Sequence, residues 1–459
     1  MACSKIQKDG TGARDMVPAM DKLYDLMHEK HVFINYSQPE IEDISKAVQI
    51  LLTRLIGCYN NRNGRFVITK FVPGGSMVEK TRIWENQQGP MIEFDFLVLL
   101  QYRYEAQHVG YGCPGHLKLL NFKTARGDDG KYTMTEEELR ADEVVNEHNS
   151  VISNILEDIC KKNTNCTVHA CGCDVKCSDV VCCSDQTSNS CATFRVDTGS
   201  GWLEFEGLED ETKSFLKPII MKWHSNSQTL IKPKISKEID IVETSPNEIK
   251  IMADFIPGFQ FSRSRIPELF ECNFPKFPNN VQEPDEFFLV PKLCPKQHPT
   301  CWRISYCASE VQSMTSTHQK HRDAYKMIKV FKNYALENTI LSTYFMKSVV
   351  LRHIDHCEAD GPEMQPCLTE MLEYTYKCFK RHELPHFVLG HDLFENRIFF
   401  QNAKQEEVFL KNFKQLVSEL KKDRFRRFLT EEGKKTKKSL QIKDMLQRIA
   451  KLLTSHRQF

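Results

Sequence analysis

Apolar residues recur at Ile41, Ile44, Val48, Leu51, Leu52 and Leu55, behind Ser37 and Pro39. Steps of three and four place them on one helical face, so the pattern predicts a long amphipathic helix with polar start signals. The pattern then changes. RFVITKFVPG (65–74), MIEFDFLVLLQYRY (91–104) and HLKLLNFKTA (116–125) are short apolar or alternating runs, which predict strands. TMTEEELRADEVVNEHNSVISNILEDIC, from Thr133 to Cys160, opens on a capping-type Thr-Met-Thr-Glu and predicts a second long helix. GWLEFEGL and EIDIVETSPNEIKIMADFIPGFQF predict further strands. From about Arg263 helical spacing takes over, in CASEVQSM, DAYKMIKVFKNYAL, STYFMKSVVLRHIDHC and CLTEMLEYTYKCFKRHEL. A β-rich first part followed by a helical second part predicts an α+β protein of two lobes.

One predicted strand is chemically odd. In IEFDF, Glu93 and Asp95 share one face while Ile92, Phe94 and Phe96 share the other, because strand side chains alternate. Two carboxylates side by side repel each other, and burying them unpaired costs several kcal/mol. Either the strand is an exposed edge with both acids in water, or a cation joins them.

Composition sharpens this picture only in places. The 459 residues allow two or three domains, and 41% hydrophobic with 27% charged residues is ordinary for a soluble protein. The net charge of +1 conceals a basic stretch: from Lys404 onward there are 16 Lys and Arg against 7 Asp and Glu. Such a tail suits an anionic partner, or is simply a solvated helical face. The first residues show no secretory pattern and no run is long and apolar enough for a membrane span, so a cytoplasmic location is expected. The 18 Cys are then expected as thiols or metal ligands. Eight of them fall between Cys160 and Cys191, where four thiolates could close a structural Zn²⁺ site, although the spacing singles out no four. The alternative there is a thiol-rich inserted loop.

The informative set is a Gly74-Gly75-Ser76 turn, the acid pair Glu93 and Asp95, and a third acid, Asp254, on the later strand MADFIPGF. Three converging carboxylates suit Mg²⁺ (or Mn²⁺), which takes oxygen ligands and bridges nucleotide phosphates. Together these elements point to nucleotidyl transfer.

In these elements, and in the segments C-terminal to them, the chain resembles cyclic GMP–AMP synthase and its Mab-type relatives. The resemblance continues, in order, through FFLVPKLCP, CWRISYCASEVQSM, YKMIKVFK, LSTYFMKSVVLRHI and LPHFVLGHDLFEN, and spans roughly residues 20 to 396. It implies a two-lobed nucleotidyltransferase fold: a flexible tail (1–17), a mixed-sheet lobe with a long spine helix (18–262, carrying the Cys-rich insertion 160–191), a helical lobe (263–403) and a basic helical extension (404–459). It implies that Glu93, Asp95 and Asp254 hold Mg²⁺, with Asp254 drawing the proton from an attacking ribose hydroxyl. Gly75 and Ser76 would meet the triphosphate, Lys292 and Lys329 would neutralise phosphate, and Arg303 and Ser305 would contact the second nucleotide. Ser342 and Thr343 would hydrogen-bond the other nucleotide, and Tyr344 would stack on a base.

Residue by residue, blander readings stand beside these. Tyr344 also fits a helix core, Lys329 a wet helix face, and Arg303 a structural ion pair, while Trp302 fits core either way.

The resemblance further implies a silent enzyme in innate immune sensing, switched on by a duplex bound along the first helix, with Lys46, Arg54, Arg62 and Arg65 as contacts. ATP and GTP would be joined into a cyclic dinucleotide that acts on a STING-type receptor. The family's His/Cys zinc module has no Cys in the matching interval VQSMTSTHQKHRDA, which favours double-stranded RNA over DNA as the trigger. A Mab-type scaffold with the same fold but no catalysis is the alternative, and an RNA-tailing nucleotidyltransferase fits Trp-Arg-Ile-Ser poorly. Nucleotide choice, linkage and dimerisation on nucleic acid are left open.

Overall fold

All six apolar positions of the first predicted helix are buried, in a helix α1 that runs Pro39–Asn60. The computed structural model describes residues 24–25, 33–34, 39–83, 91–103, 107–126, 132–162, 167–169, 195–208, 218–226, 248–262, 264, 284–292, 294, 296–332, 342–357, 361, 363–394 and 399–421. The flexible tail, nearly all of the Cys-rich insertion and most of the basic extension lie outside these residues.

α1 leads into β1 (Phe66–Gly74), a one-turn helix α2 (Gly75–Val78) and β2 (Met91–Tyr102). β3 (Gln107–Tyr111), β4 (His116–Arg126) and β5 (Tyr132–Glu138) come next, then α3 (Ala141–Lys162). The helix expected from Thr133 therefore begins at Ala141. Residues Tyr132–Glu138 pair antiparallel with β4 instead, because Thr-Met-Thr alternates like a strand and β4 offers a ladder. The true helix start is marked by Asp142 and Glu143 in its first turn, where acids favour the positive end of the helix dipole.

Short strands β6 (Thr167–His169) and β7 (Arg195–Asp197) precede β8 (Gly201–Leu208), β9 (Ile219–Ser225) and the long β10 (Glu248–Ser262). β11 (Glu286–Val290) and β12 (Cys301–Ser305) carry the sheet beyond residue 262, into a stretch read from sequence as largely helical. Their apolar runs are short and lie among prolines, so periodicity alone gives no strand there, although Trp-Arg-Ile-Ser matches a strand-like motif of the family the chain resembles. α4 (Cys307–Ser316), α5 (Gln319–Val330), α6 (Thr343–His356), α7 (Met364–Arg381) and α8 (Ala403–Leu420) complete the described elements.

The twelve strands join in one mixed sheet whose main path is β3-β4-β12-β11-β10-β9-β8-β7-β6, with β2 paired to β10 and β1 to β2. Most pairs are antiparallel; β2 with β10, and β6 with β7, run parallel. The architecture is α+β. Among the described residues two large hydrophobic cores result, beside a small cluster of Val72, Leu97, Leu99, Phe288 and Val290. One lies between the sheet and α1 with α3, where Trp223 Nε1 donates to Glu40 Oε1 at 2.8 Å and ties α1 to β9. The other is built by α5, α6, α7 and α8. Trp302 is fully buried and donates from Nε1 to the Leu139 carbonyl at 2.9 Å, which makes it core.

Candidate active site

Side chains along β10 alternate between half-buried and buried from Glu248 to Pro257, and Asp254 falls on the half-buried face with Met252 and Ile256. Glu93 and Asp95 are the half-buried positions of β2, flanked by buried Ile92, Phe94 and Phe96. The parallel register sets Asp254 directly opposite Asp95, and Met252 opposite Glu93. Alternation on two neighbouring strands thus delivers three carboxylates to one spot, with oxygens within 4.8 Å of one another. The edge-strand alternative fails, because β2 is flanked by β1 on one side and β10 on the other.

Electrostatics at this spot is severe. Burial, then the charge of Glu93, then that of Asp254 push the Asp95 carboxyl up to about 7, against the pull of Arg82 and Lys347. Arg82 Nη1 donates to Glu93 Oε2 at 2.5 Å, a contact that no sequence pattern announced.

The chain reverses immediately before α2. Gly75 has φ +70, and a Cβ there would sit 1.6 Å from Asp95 Oδ2. Only glycine lets the turn press against the acid cluster. Gly75→Ala is therefore expected to displace either the turn or Asp95, lowering the melting temperature and removing any divalent-cation stabilisation that wild type shows. Thermal melts with and without Mg²⁺ check this; an unchanged cation response would mean that the turn does not shape the acid site.

A cavity of about 600 Å³ opens beside the acids, within the rough 300–1,000 Å³ range of small-molecule sites. Gly75, Ser76, Glu93, Asp95, Lys292, Arg303, Ser305, Lys329, Thr343 and Tyr344 all line it. Ser342 does not. It caps α6 instead, its Oγ accepting from the Phe345 N–H at 3.2 Å. Lys329 is buried and donates to the Thr81 carbonyl at 3.0 Å, so in this state it braces the segment after α2 as well as facing the cavity.

Tyr344 is held by a hydrogen-bond chain. His386 Nδ1 accepts from the Val388 and Leu389 N–H groups, so its proton is on Nε2, which donates to the Tyr344 oxygen at 2.8 Å. The Tyr344 hydroxyl in turn donates to Glu310 Oε1 at 3.3 Å. The Arg303 guanidinium lies 5.1 Å from the Tyr344 ring centre, a cation–π arrangement that occupies one ring face.

Sequence reasoning missed the buried group beneath. Lys347 bridges Glu79 at 2.5 Å and Glu310 at 2.7 Å, joining the C-cap of α2 to α4 and α6. Burial opposes the ammonium charge, but Glu310 and then Glu79 outweigh it and hold the pKa well above its ordinary value. It also missed two His/Cys clusters able to hold a metal ion: Cys113 with Cys294, His298 and Cys301, and His321 with His353, Cys357 and Cys367. CPKQHPTC was visible as a tight run, but its fourth member is some 180 residues earlier.

The expected duplex contacts are largely engaged with acids. Lys46 pairs with Glu42 at 3.1 Å, Arg62 with Asp158 at 2.9 Å, and Arg65 Nε donates to Glu147 at 2.7 Å. Arg54 lies on α1, partly exposed. No helix among the described residues is long and apolar enough to cross a membrane. No family model matches the chain, and no curated protein matches it.

Proposed function

We propose that this chain is a nucleotidyltransferase of the two-lobed type, and that it joins ATP and GTP into a cyclic dinucleotide when double-stranded RNA binds. The observation that carries the chemistry is the in-register meeting of Asp254 with Glu93 and Asp95, two acids that line a cavity together with five cationic side chains, Arg82, Lys292, Arg303, Lys329 and Lys347. The product and the trigger rest on the resemblance in sequence.

The three acids fit a hard divalent cation. Their oxygens converge, and burial together with their mutual repulsion leaves Asp95 reluctant to ionise until a positive charge arrives. When bound, Mg²⁺ would neutralise triphosphate charge and favour the in-line displacement. The chain's own groups do the rest. Asp254 accepts the proton of the attacking ribose hydroxyl. Arg303 and Ser305 meet the second nucleotide, and Lys292 and Lys329 neutralise phosphate charge. The Tyr344 ring offers a stacking face whose tilt is fixed by His386 and Glu310. Glu93 accepts from Arg82 through Oε2, and a carboxylate has a second oxygen to offer the cation.

Product analysis tests this reading. Purified protein is incubated with all four NTPs and Mg²⁺ or Mn²⁺, with no nucleic acid, long double-stranded RNA or long double-stranded DNA, and the products are identified by mass spectrometry. A cyclic dinucleotide is expected in the RNA arm and absent from Glu93→Ala/Asp95→Ala. Nucleotide binding without product in any arm would favour the Mab-type scaffold.

A further inference from the structure

We propose that Cys113, Cys294, His298 and Cys301 form a structural zinc site that staples the β11–β12 connection to the β3–β4 turn. The ligands come from two places that only the fold brings together. Cys113 stands in the turn between β3 and β4, Cys294 and His298 lie on the connection, and Cys301 is the first residue of β12.

The geometry is that of a tetrahedron. Zinc–sulfur bonds of ~2.3 Å and zinc–nitrogen bonds of ~2.0–2.1 Å require S···S separations of ~3.8 Å and S···N separations of ~3.6 Å. Cys301 Sγ lies 3.9 Å from Cys113 Sγ, and Cys113 Sγ lies 3.4 Å from His298 Nδ1. All four ligand atoms fall within 4.8 Å of one another. A disulfide needs sulfurs at ~2.05 Å, so these are thiols set apart at the spacing of a shared ion. The His298 N–H also points to Cys294 Sγ at 3.3 Å, a backbone donation that stabilises a thiolate more than a thiol. Gln297, at φ +56, supplies the tight turn between these ligands.

The site's place in the fold gives it a purpose. The connection begins with Pro291 and Lys292, and β12 continues from Cys301 to Arg303 and Ser305; Pro291, Lys292, Arg303 and Ser305 all line the cavity. A zinc ion here fixes the wall that presents them. The zinc site stands independently of the nucleotidyltransferase reading, because its readout is metal content.

We infer, on separate observations, that a second cluster is also a zinc site. His321 Nε2 and His353 Nε2 are buried with no hydrogen-bond partner, and an orphaned imidazole nitrogen is costly unless it binds something. Cys357 and Cys367 place their sulfurs 3.7 Å apart beside them, within the same 4.8 Å group. Thr317 Oγ1 lies 2.8 Å from His321 Nδ1, the outer bond that orients a metal-binding imidazole. These ligands come from α5, α6, the residue capping α6, and α7, so the ion would pin the helical core.

Zinc per chain is measured by inductively coupled plasma mass spectrometry on the full-length protein, purified without added metal. Cys294→Ser/Cys301→Ser is expected to lose one zinc relative to wild type, and Cys367→Ser one other, whatever the Cys-rich insertion holds. Unchanged content in either variant overturns that site. Should a variant not fold, wild type itself decides. Differential alkylation with peptide mapping is expected to label Cys113, Cys294 and Cys301, and separately Cys357 and Cys367, faster after chelation. Equal labelling with and without chelator overturns the proposal, as does recovery of Cys113–Cys301 as a disulfide from protein purified under reducing conditions.

Discussion

On the proposed nucleotidyltransferase reading, Asp95→Asn is expected to abolish nucleotide turnover, by on the order of 10³-fold or more, and at the same time to raise the melting temperature of the metal-free protein at pH 8. Both effects come from one cause. Asp95 sits half-buried between two other carboxylates, and ionising it there is opposed by burial, by Glu93 and by Asp254. Its carboxyl is raised to about 7 in the folded protein, against roughly 4 in an unfolded chain. A group with a raised folded pKa contributes fully below the unfolded value and loses that contribution as pH climbs through the folded one. Metal-free wild type therefore loses stability between roughly pH 4 and 7, and the amide, which cannot ionise, does not. The gain from Asn is expected to be clear at pH 8, small at pH 5, and cancelled by Mg²⁺, which stabilises wild type but not the variant. Melting curves at the two pH values with EDTA or Mg²⁺, beside turnover, check it. An equal gain at both pH values would show that Asp95 does not carry the strain of the acid cluster.

Lys347→Met is the substitution expected to cost most in stability, about 3–5 kcal/mol. Its ammonium is the shared partner of Glu79 and Glu310, and all three side chains are largely shielded from water. Removing the cation leaves two carboxylates facing each other in the protein interior. Replacing all three together, in Glu79→Gln/Glu310→Gln/Lys347→Met, removes the uncompensated charge and is expected to recover most of the loss. Chemical denaturation of the two variants and wild type measures this. A single variant within about 1 kcal/mol of wild type would mean that the triad is exchanging with solvent and does not brace the site. The consequence reaches function, because the triad anchors the C-cap of α2 to the helical core, and α2 carries Ser76 into the cavity.

The amphipathic face of α1 and the alternation of β2 were legible in the sequence, and with the latter the pair Glu93 and Asp95; Asp254 was read only as an acid on a later strand, its role resting on the family resemblance. Each depends on the period of a single segment, which states which face is buried before any partner is known. The strand Tyr132–Glu138 was not legible, because Thr-Met-Thr-Glu suits a helix cap as well as a strand, and only the ladder offered by β4 decides between them. Ser342 was placed in the right segment, but its hydroxyl caps α6 and the residue does not line the cavity, which periodicity could not show.

The sequence alone thus determined that a strand-rich part with amphipathic helices precedes a helical part, and it singled out Glu93 and Asp95, with Asp254 on a later strand, as acids suited to a cation. Tertiary structure decided the rest: that Asp254 meets Asp95 in register across a parallel pair, that Lys347 joins Glu79 to Glu310, and that Cys113 joins a cluster of ligands far along the chain. Periodicity is a local property fixed by backbone geometry, whereas which distant segments meet is chosen by the burial and pairing of whole surfaces.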